Sequence, residues 1–364
     1  MIVKTLTNQI ENFAPLSFQE SYDNSGLIVG DPDMEISGVL ITIDVTETVI
    51  EEAISKNCNF IISHHPLIFT GLKRITGQNE VQRCVKMALK NDIAIYAAHT
   101  NFDNVLNGVN GKIAEKIGLK NIKVLQPKPD MLIKLITFVP KIHASGLRDA
   151  LFETGAGHIG NYDSCSFNVE GIGTFRGNDN ANPFVGEINK LHSEPEIRIE
   201  MIFPEYLKNQ IIDTLHKVHP YEEPAYDLIS LQNDWRKSGA GLIGELAEDE
   251  DELVFLKRIK SIFACSVIRH SNLRGKKIKH VAVCGGSGST FLNDAIRMNA
   301  DVFISADFKY HEFFNAESRI IIADLGHYES EQFTKDIFYE IITKKMPTFA
   351  VQISEIKTNP INYL

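Results

Sequence analysis

What this 364-residue chain has little of already excludes several kinds of protein. Its apolar runs, such as Phe60-Ile61-Ile62 and Ile320-Ile321-Ile322-Ala323, are of strand length, against the roughly 20 residues a membrane span requires. The start, Met1-Ile2-Val3-Lys4-Thr5, has no long apolar core followed by a small-residue cleavage site, so no secretory signal and a cytoplasmic location are expected. The five cysteines (Cys58, Cys84, Cys165, Cys265 and Cys284) are scattered and never form a CxxC pair. That argues against a disulfide framework and a thiolate zinc site, and for reduced core thiols. Positive charge is short as well: the formal net charge is -10, and the densest basic stretch is only Arg274-Gly-Lys-Lys-Ile-Lys279. A nucleic-acid partner is therefore not expected.

What is present is enough apolar material, 43% of residues, for two or three domains with real cores. Strand and helix patterns alternate in the first third: Val39 to Ile43, a helix from Thr48 to Lys56, Phe60 to Ser63, a helix from Val81 to Lys90, then Ile93 to Ala97. This is βαβ grammar and predicts a mostly parallel sheet covered by helices. Thr48-x-x-Glu51 reads as a capping box, with Val49, Ile50, Ala53 and Ile54 as the apolar face. The last third repeats the grammar at a constant offset, Val39 matching Val281 and Ser63 matching Ser305, so Asn57-Cys-Asn-Phe-Ile-Ile-Ser63 aligns with Asn299-Ala-Asp-Val-Phe-Ile-Ser305. An internal duplication is expected, with any site between the halves. Residues 128–231 follow a different order: strand Leu132 to Val139, helix Ala144 to Thr154, strands Ser164 to Val169 and Ile197 to Phe203, helix Tyr206 to Val218, strand Ala225 to Leu231. That order predicts an inserted ferredoxin-like α+β domain, leaving 1–127 and 232–364 as a discontinuous α/β core.

Three strand ends carry candidate chemistry. Ser63-His64-His65-Pro66 puts two imidazoles where open α/β sheets keep their ligand sites, and adjacent residues point to opposite sides. His99-x3-Asp103 and His327-x3-Glu331 follow two further apolar strands, and residues four apart share one helical face. Each cluster alone has an ordinary reading: a structural histidine, an aspartate at a turn or helix cap, an exposed helix pair. Together, His64, His65, Asp103, His327 and Glu331 form a nitrogen and oxygen ligand set for two divalent cations, with Glu331 bridging. Five groups cannot fill two coordination shells, so water completes them, and open positions favour catalysis over a closed structural site. Without thiolates the set suits zinc first and admits manganese, iron, cobalt or nickel. His99 and His311 are the candidate proton carriers, while Asp307 and Lys309 are candidates to hold substrate or ligand. Gly285-Gly-Ser-Gly-Ser289 reads as a tight turn or a weak phosphate loop. His219-Pro-Tyr-Glu-Glu-Pro224 and Gly155-Ala-Gly-His-Ile-Gly160 read as loop geometry or subunit contacts.

Tyr22-Asp-Asn-Ser-Gly26, Ser63-His-His-Pro66, His99-Thr-Asn-Phe-Asp103, Asp307-Phe-Lys-Tyr-His311 and Gly326-His-Tyr-Glu-Ser-Glu331 run nearly the whole chain. In these motifs the sequence resembles the dinuclear-metal-centre hexamer family, also called GTP cyclohydrolase 1 type 2 homologues or Nif-three-like proteins. Ile159 to Phe167, Gly173-Thr-Phe175 and the His219 motif look like the longer bacterial members, whose insert is similar to PII and CutA signalling modules. The resemblance implies the same five metal ligands and a toroidal homohexamer with sites facing an internal cavity. It implies a metal-dependent hydrolase acting on a nucleotide such as GTP, while phosphate-ester hydrolysis fits the same chemistry. The rival expectation is a non-catalytic metal-binding or regulatory hexameric ring.

Overall fold

The computed structural model describes residues 1–346 and 349–364. The chain separates into two compact units, Met1–Pro127 with Arg236–Leu364, and Lys128–Trp235. The polar segment Gln232-Asn-Asp-Trp235 thus goes with the second unit, where the Trp235 ring lies 6.0 Å from that of Tyr206.

The first unit holds two sheets wired alike. In one, the strands Val39–Thr42, Phe60–Ser63 and Ala94–Ala97 are parallel neighbours, Gly26–Val29 pairs antiparallel with the last, and Val351–Ile353 adds a parallel edge. In the other, Lys277–Ser287, Val302–Ala306 and Ile321–Asp324 are parallel neighbours, and Arg269–His270 pairs antiparallel with the last. Lys120–Pro127 and Gly239–Asp251 extend this second sheet as antiparallel strands. These are the duplicated α/β halves expected from the repeat, with parallel strands at their centres.

Side chains alternate across each strand, so each sheet feeds two cores. Val39, Ile41, Phe60, Ile62, Val302, Ile304, Ile321 and Ala323 belong to one shared cluster with helices Val3–Phe13, Val109–Ile117 and Thr334–Lys345. Leu40, Ile61 and Ile95 point the other way, onto helices Glu47–Ser55 and Glu80–Lys90. Ala282, Phe303 and Ile322 do the same in the second half, packing on Leu292 and Ala295. Four cysteines are buried and Cys165 is half-buried, and all five are free thiols.

The first helix begins earlier than the capping box suggested. Thr46 has extended φ and ψ, and its hydroxyl accepts from Val49 N–H at 3.3 Å, so the cap is Thr46 and Thr48 is already helical. Ile54, read as part of the apolar face, is 40% exposed, because at about 100° per residue it lies about 140° round the helix from Val49, off the face that buries Val49, Ile50 and Ala53.

The second unit is a four-stranded antiparallel sheet in the order Phe167–Phe175, His192–Pro204, Leu132–Pro140, Tyr226–Leu231, with helices Ala144–Glu153 and Lys208–Val218. This is ferredoxin-like topology. Its second strand runs to Phe175, well past Val169, because Gly171 and Gly173 stay in register with His192–Pro204 despite having no side chain to pack. His219 is a loop brace. Its Nε2 donates to Phe138 O at 2.9 Å, and its Nδ1 accepts from Tyr221 N–H at 3.1 Å. A groove of about 550 Å³ in this unit is walled by Phe138, Phe175, Phe184 and Tyr221. Among the described residues, no helix is long and apolar enough to cross a membrane.

Candidate metal centre

His64 and His65 leave the strand Phe60–Ser63 on opposite sides and are then fixed by different partners. His64 is fully buried, and its Nδ1 donates to the Ala98 carbonyl at 2.9 Å, which leaves Nε2 as a lone pair. His65 Nδ1 donates to Asp44 Oδ1 at 2.7 Å, and Asp44 also accepts from Thr358 Oγ1 at 2.6 Å. In the second half His327 Nδ1 donates to Asp307 Oδ2 at 2.7 Å. Asp307 follows the strand Val302–Ala306 at φ +60°, a left-handed conformation that aspartate tolerates better than most residues. All three rings therefore aim Nε2 at one place.

Two groups of donor atoms meet there. His65 Nε2, His327 Nε2 and Glu331 Oε2 form a triangle with edges of 3.3, 3.0 and 3.2 Å. Two ligands on a tetrahedral zinc at about 2.0–2.1 Å would stand roughly 3.4 Å apart, so the triangle has the size of one coordination face. His64 Nε2 lies 3.8 Å from Asp103 Oδ1 and 3.7 Å from the same Glu331 Oε2, and these three make the second group. Glu331 is common to both. His64 Nε2, Asp103 Oδ1 and Glu331 Oε2 are all buried without a hydrogen-bond partner, the Glu331 oxygen sitting beside imidazole nitrogens without hydrogen-bond alignment. Buried acceptors left unsatisfied are costly, about 1–3 kcal/mol each and more when charged. A cation relieves that cost, so the residues fit a metal pair.

The electrostatics point the same way. Burial drives the Asp103 carboxyl well above the usual range, reinforced by the Glu331 charge, whereas the surrounding histidines hold Glu331 well below it despite its burial. Burial alone would lower His65 and His327. Asp44 and Glu331 outweigh it and raise His65 to about 10, and Asp307 and Glu331 raise His327 to about 11. Burial lowers His64.

The glycine run of the second half is a floor for the bridging carboxylate. Gly286 has φ +61°, and a Cβ there would fall 2.1 Å from Glu331 Oε1. Gly285 N–H donates to Asn110 Oδ1 and Gly286 N–H to Ser330 Oγ, both at 2.9 Å. With those donors turned inward, and a following helix of only six residues, Leu292–Arg297, the run packs the site and is not a phosphate loop.

His99 joins the cluster. Its ring centroid is 5.3 Å from those of both His64 and His65, and the ligating atoms of the three histidines lie within 4.8 Å of one another. Asp23 Oδ1 accepts from His99 Nδ1 at 2.8 Å. Burial pushes Asp23 up, but His99 and Thr100 hold it well below the usual carboxylate range. His311 lies on the 3-10 segment Tyr310–Ala316, where it is exposed with its ring 6.2 Å from that of Phe314, and it is in none of these donor groups. Lys309 is likewise exposed. Asp44 had escaped notice in the sequence, and Asp23 had appeared only within the Tyr22–Gly26 motif, without a role of its own. Asp44 closes the strand Val39–Thr42 one residue beyond Ile43, which was the available signal.

Fold and pocket together define a class: a duplicated α/β core with an imidazole and carboxylate pocket between its halves. The Duf34/NIF3 (NGG1p interacting factor 3) family profile matches residues 1–360. A Halalkalibacterium halodurans protein named GTP cyclohydrolase 1 type 2 homolog is 38% identical over 366 residues, covering 99% of this chain and 98% of that protein. A Bacillus subtilis protein of the same name is 37% identical, covering 97% and 96%. The crystal structure of a Bacillus cereus protein related to NIF3 superposes with a TM-score of 0.85 at 36% identity, covering 100% of this chain and 99% of that one. The chain belongs to the Duf34/NIF3 family.

Proposed function

We propose that this protein is a dinuclear metal-dependent hydrolase, with His64, His65, Asp103, His327 and Glu331 as ligands of two divalent cations. The observation that supports it most is the shared Glu331 Oε2, buried and unsatisfied at the junction of both donor groups. Zinc suits the triangle best, with manganese, iron, cobalt and nickel as substitutes. When bound, the cations would lower the pKa of a water and polarise the group it attacks. The chain's own residues do the rest. Asp44 and Asp307 orient two imidazoles through Nδ1. Asp23 holds His99 so that its Nε2 faces the site and can take or give a proton. The relatives' name makes GTP the first substrate to try, through attack on the imidazole ring carbon of guanine, with phosphate esters second. The same reading makes the assembly a homohexamer.

The test is metal content per chain for wild type and Glu331→Ala, with a hydrolysis screen that includes GTP and phosphate esters. About two metals, both lost in the variant together with turnover, is the expected result. Two metals without turnover would favour a non-catalytic metal-binding ring, and no metal in wild type would refute the centre.

A further inference from the structure

The loop Tyr22–Ser25 carries more hydrogen bonds than a surface turn needs. Asp23 takes His99 Nδ1 on one oxygen and Thr100 N–H, at 3.0 Å, on the other. Ser25 Oγ donates to Asp23 Oδ2 at 3.0 Å and accepts from His99 N–H at 3.2 Å. Ser25 N–H donates to Gln19 Oε1 at 2.9 Å, and Asn24 Nδ2 donates to Ile68 O at 2.6 Å. The loop is thus stapled both to the turn that bears His99 and to the segment that follows His64 and His65.

Those staples fix two aromatic rings in the open. Tyr22 is 64% exposed and Phe69 48% exposed, their centroids 6.3 Å apart at a 41° tilt. Phe69 in turn lies 6.1 Å from the His99 ring, edge to face, and His99 is 5.3 Å from His64 and His65. Rings of this size are normally buried, yet here a pair stands in water on a braced backbone, and the track leads from solvent to the donor cluster. The Tyr22 hydroxyl is raised first by its partial burial and then by the charges of Glu20, Asp103 and Asp23.

We propose that Tyr22 and Phe69 form a stacking platform for a planar heteroaromatic ring, the part of the substrate that lies beside the bond to be hydrolysed. This rests on the hydrolase reading above and narrows its substrate from any ester to a molecule carrying a heterocycle. Stacking recognises the π-face of a ring and tolerates its identity, so the platform sets the class and the groups around it choose the member. Braced rings suit this task, because a platform that is already ordered loses little freedom when the ring arrives.

Isothermal titration of the full-length metal-loaded protein with GTP, ATP and UTP, each against inorganic triphosphate, separates ring binding from phosphate binding. At least one nucleotide is expected to bind about tenfold tighter than triphosphate. Tyr22→Ala and Phe69→Leu should erase that margin with metal content unchanged, and Phe69→Tyr should keep it. Equal affinity for triphosphate and all three nucleotides would overturn the platform. So would a margin that survives Tyr22→Ala and Phe69→Leu, or variants that change the sedimentation coefficient in place of the margin, which would assign the rings to contact with a second copy of the chain. Elemental analysis of the same samples keeps the two readings apart: wild type without metal sinks the hydrolase, whereas a lost or absent ring margin in metal-bearing protein sinks only the platform.

Discussion

The two halves of the core share their wiring and divide the chemistry unequally. In each, the last parallel strand donates an N–H to the serine that ends its neighbour, Ala98 to Ser63 and Leu325 to Ser305, and then opens a short helix bearing a His-x3-carboxylate pair. The register is not quite preserved. His99 follows Ala98 directly, whereas Gly326 intervenes between Leu325 and His327. The position after the serine strand differs too: the first half places His64 and His65 there, and the second places Ala306 and Asp307, which orients a ligand instead of being one. Matched positions of the two halves thus carry different groups: the first brings three imidazoles to the donor cluster, and the second brings His327 and the carboxylate common to both donor groups.

The sharpest way to break this asymmetry is at Glu331. Glu331→Gln keeps the shape and removes the charge both groups share, so both metals and all turnover should be lost, whereas His327→Ala, which touches one group, should leave one metal bound by elemental analysis. Gly286→Ala comes next. Its Cβ would strike Glu331 Oε1 at 2.1 Å at a left-handed φ, so it should displace the bridge and lower stability by about 1–3 kcal/mol. Gly30→Ala, with a Cβ 2.6 Å from Ala94 Cβ at φ +108°, should lower the melting temperature comparably and leave metal content intact. Asp44→Asn and Asp307→Asn come from opposite halves yet orient imidazoles of the same triangle. Each should therefore weaken metal binding by about 10–100-fold and by similar factors, measured by chelator competition.

The smallest effect is in protons. Without metal, His65 and His327 hold theirs to about 10 and about 11, against about 6.5 for a free histidine. Raised folded-state values stabilise fully below pH 6.5, and that contribution is lost as the pH climbs through about 10 to 11. Metal-free protein should therefore lose melting temperature across that upper window more steeply than His327→Gln. Metal binding at pH 8 should release protons, seen as a buffer-dependent heat in calorimetry.

Legibility followed distance along the chain. The residues that meet in the donor cluster could be read because each of their motifs follows an apolar run, and the repeat because Asn57 to Ser63 and Asn299 to Ser305 match without a gap. The helix start at Thr46 was missed because two threonines compete and only local φ and ψ choose between them. Asp23 and Asp44 were given no role because what makes them matter is a hydrogen bond to a residue 76 or 21 positions away. The glycine run at Gly285 left a tight turn and a weak phosphate loop both open, and in the structure it gives clearance to a carboxylate, since composition alone does not say which side of a glycine is crowded.

The bridge also sets an order of events. His65 and His327 are separated by 262 residues, with the whole inserted unit between them. At about 5–20 residues per second of synthesis, roughly 13–50 seconds pass after the first imidazoles emerge before the residues that close the site exist. Until then His64, His65, His99 and Asp103 are the only members of the donor cluster that have been made. On the dinuclear reading, the choice of metal would be settled near the end of translation, when Glu331 arrives and a loosely held ion must either fit the finished cage or leave it.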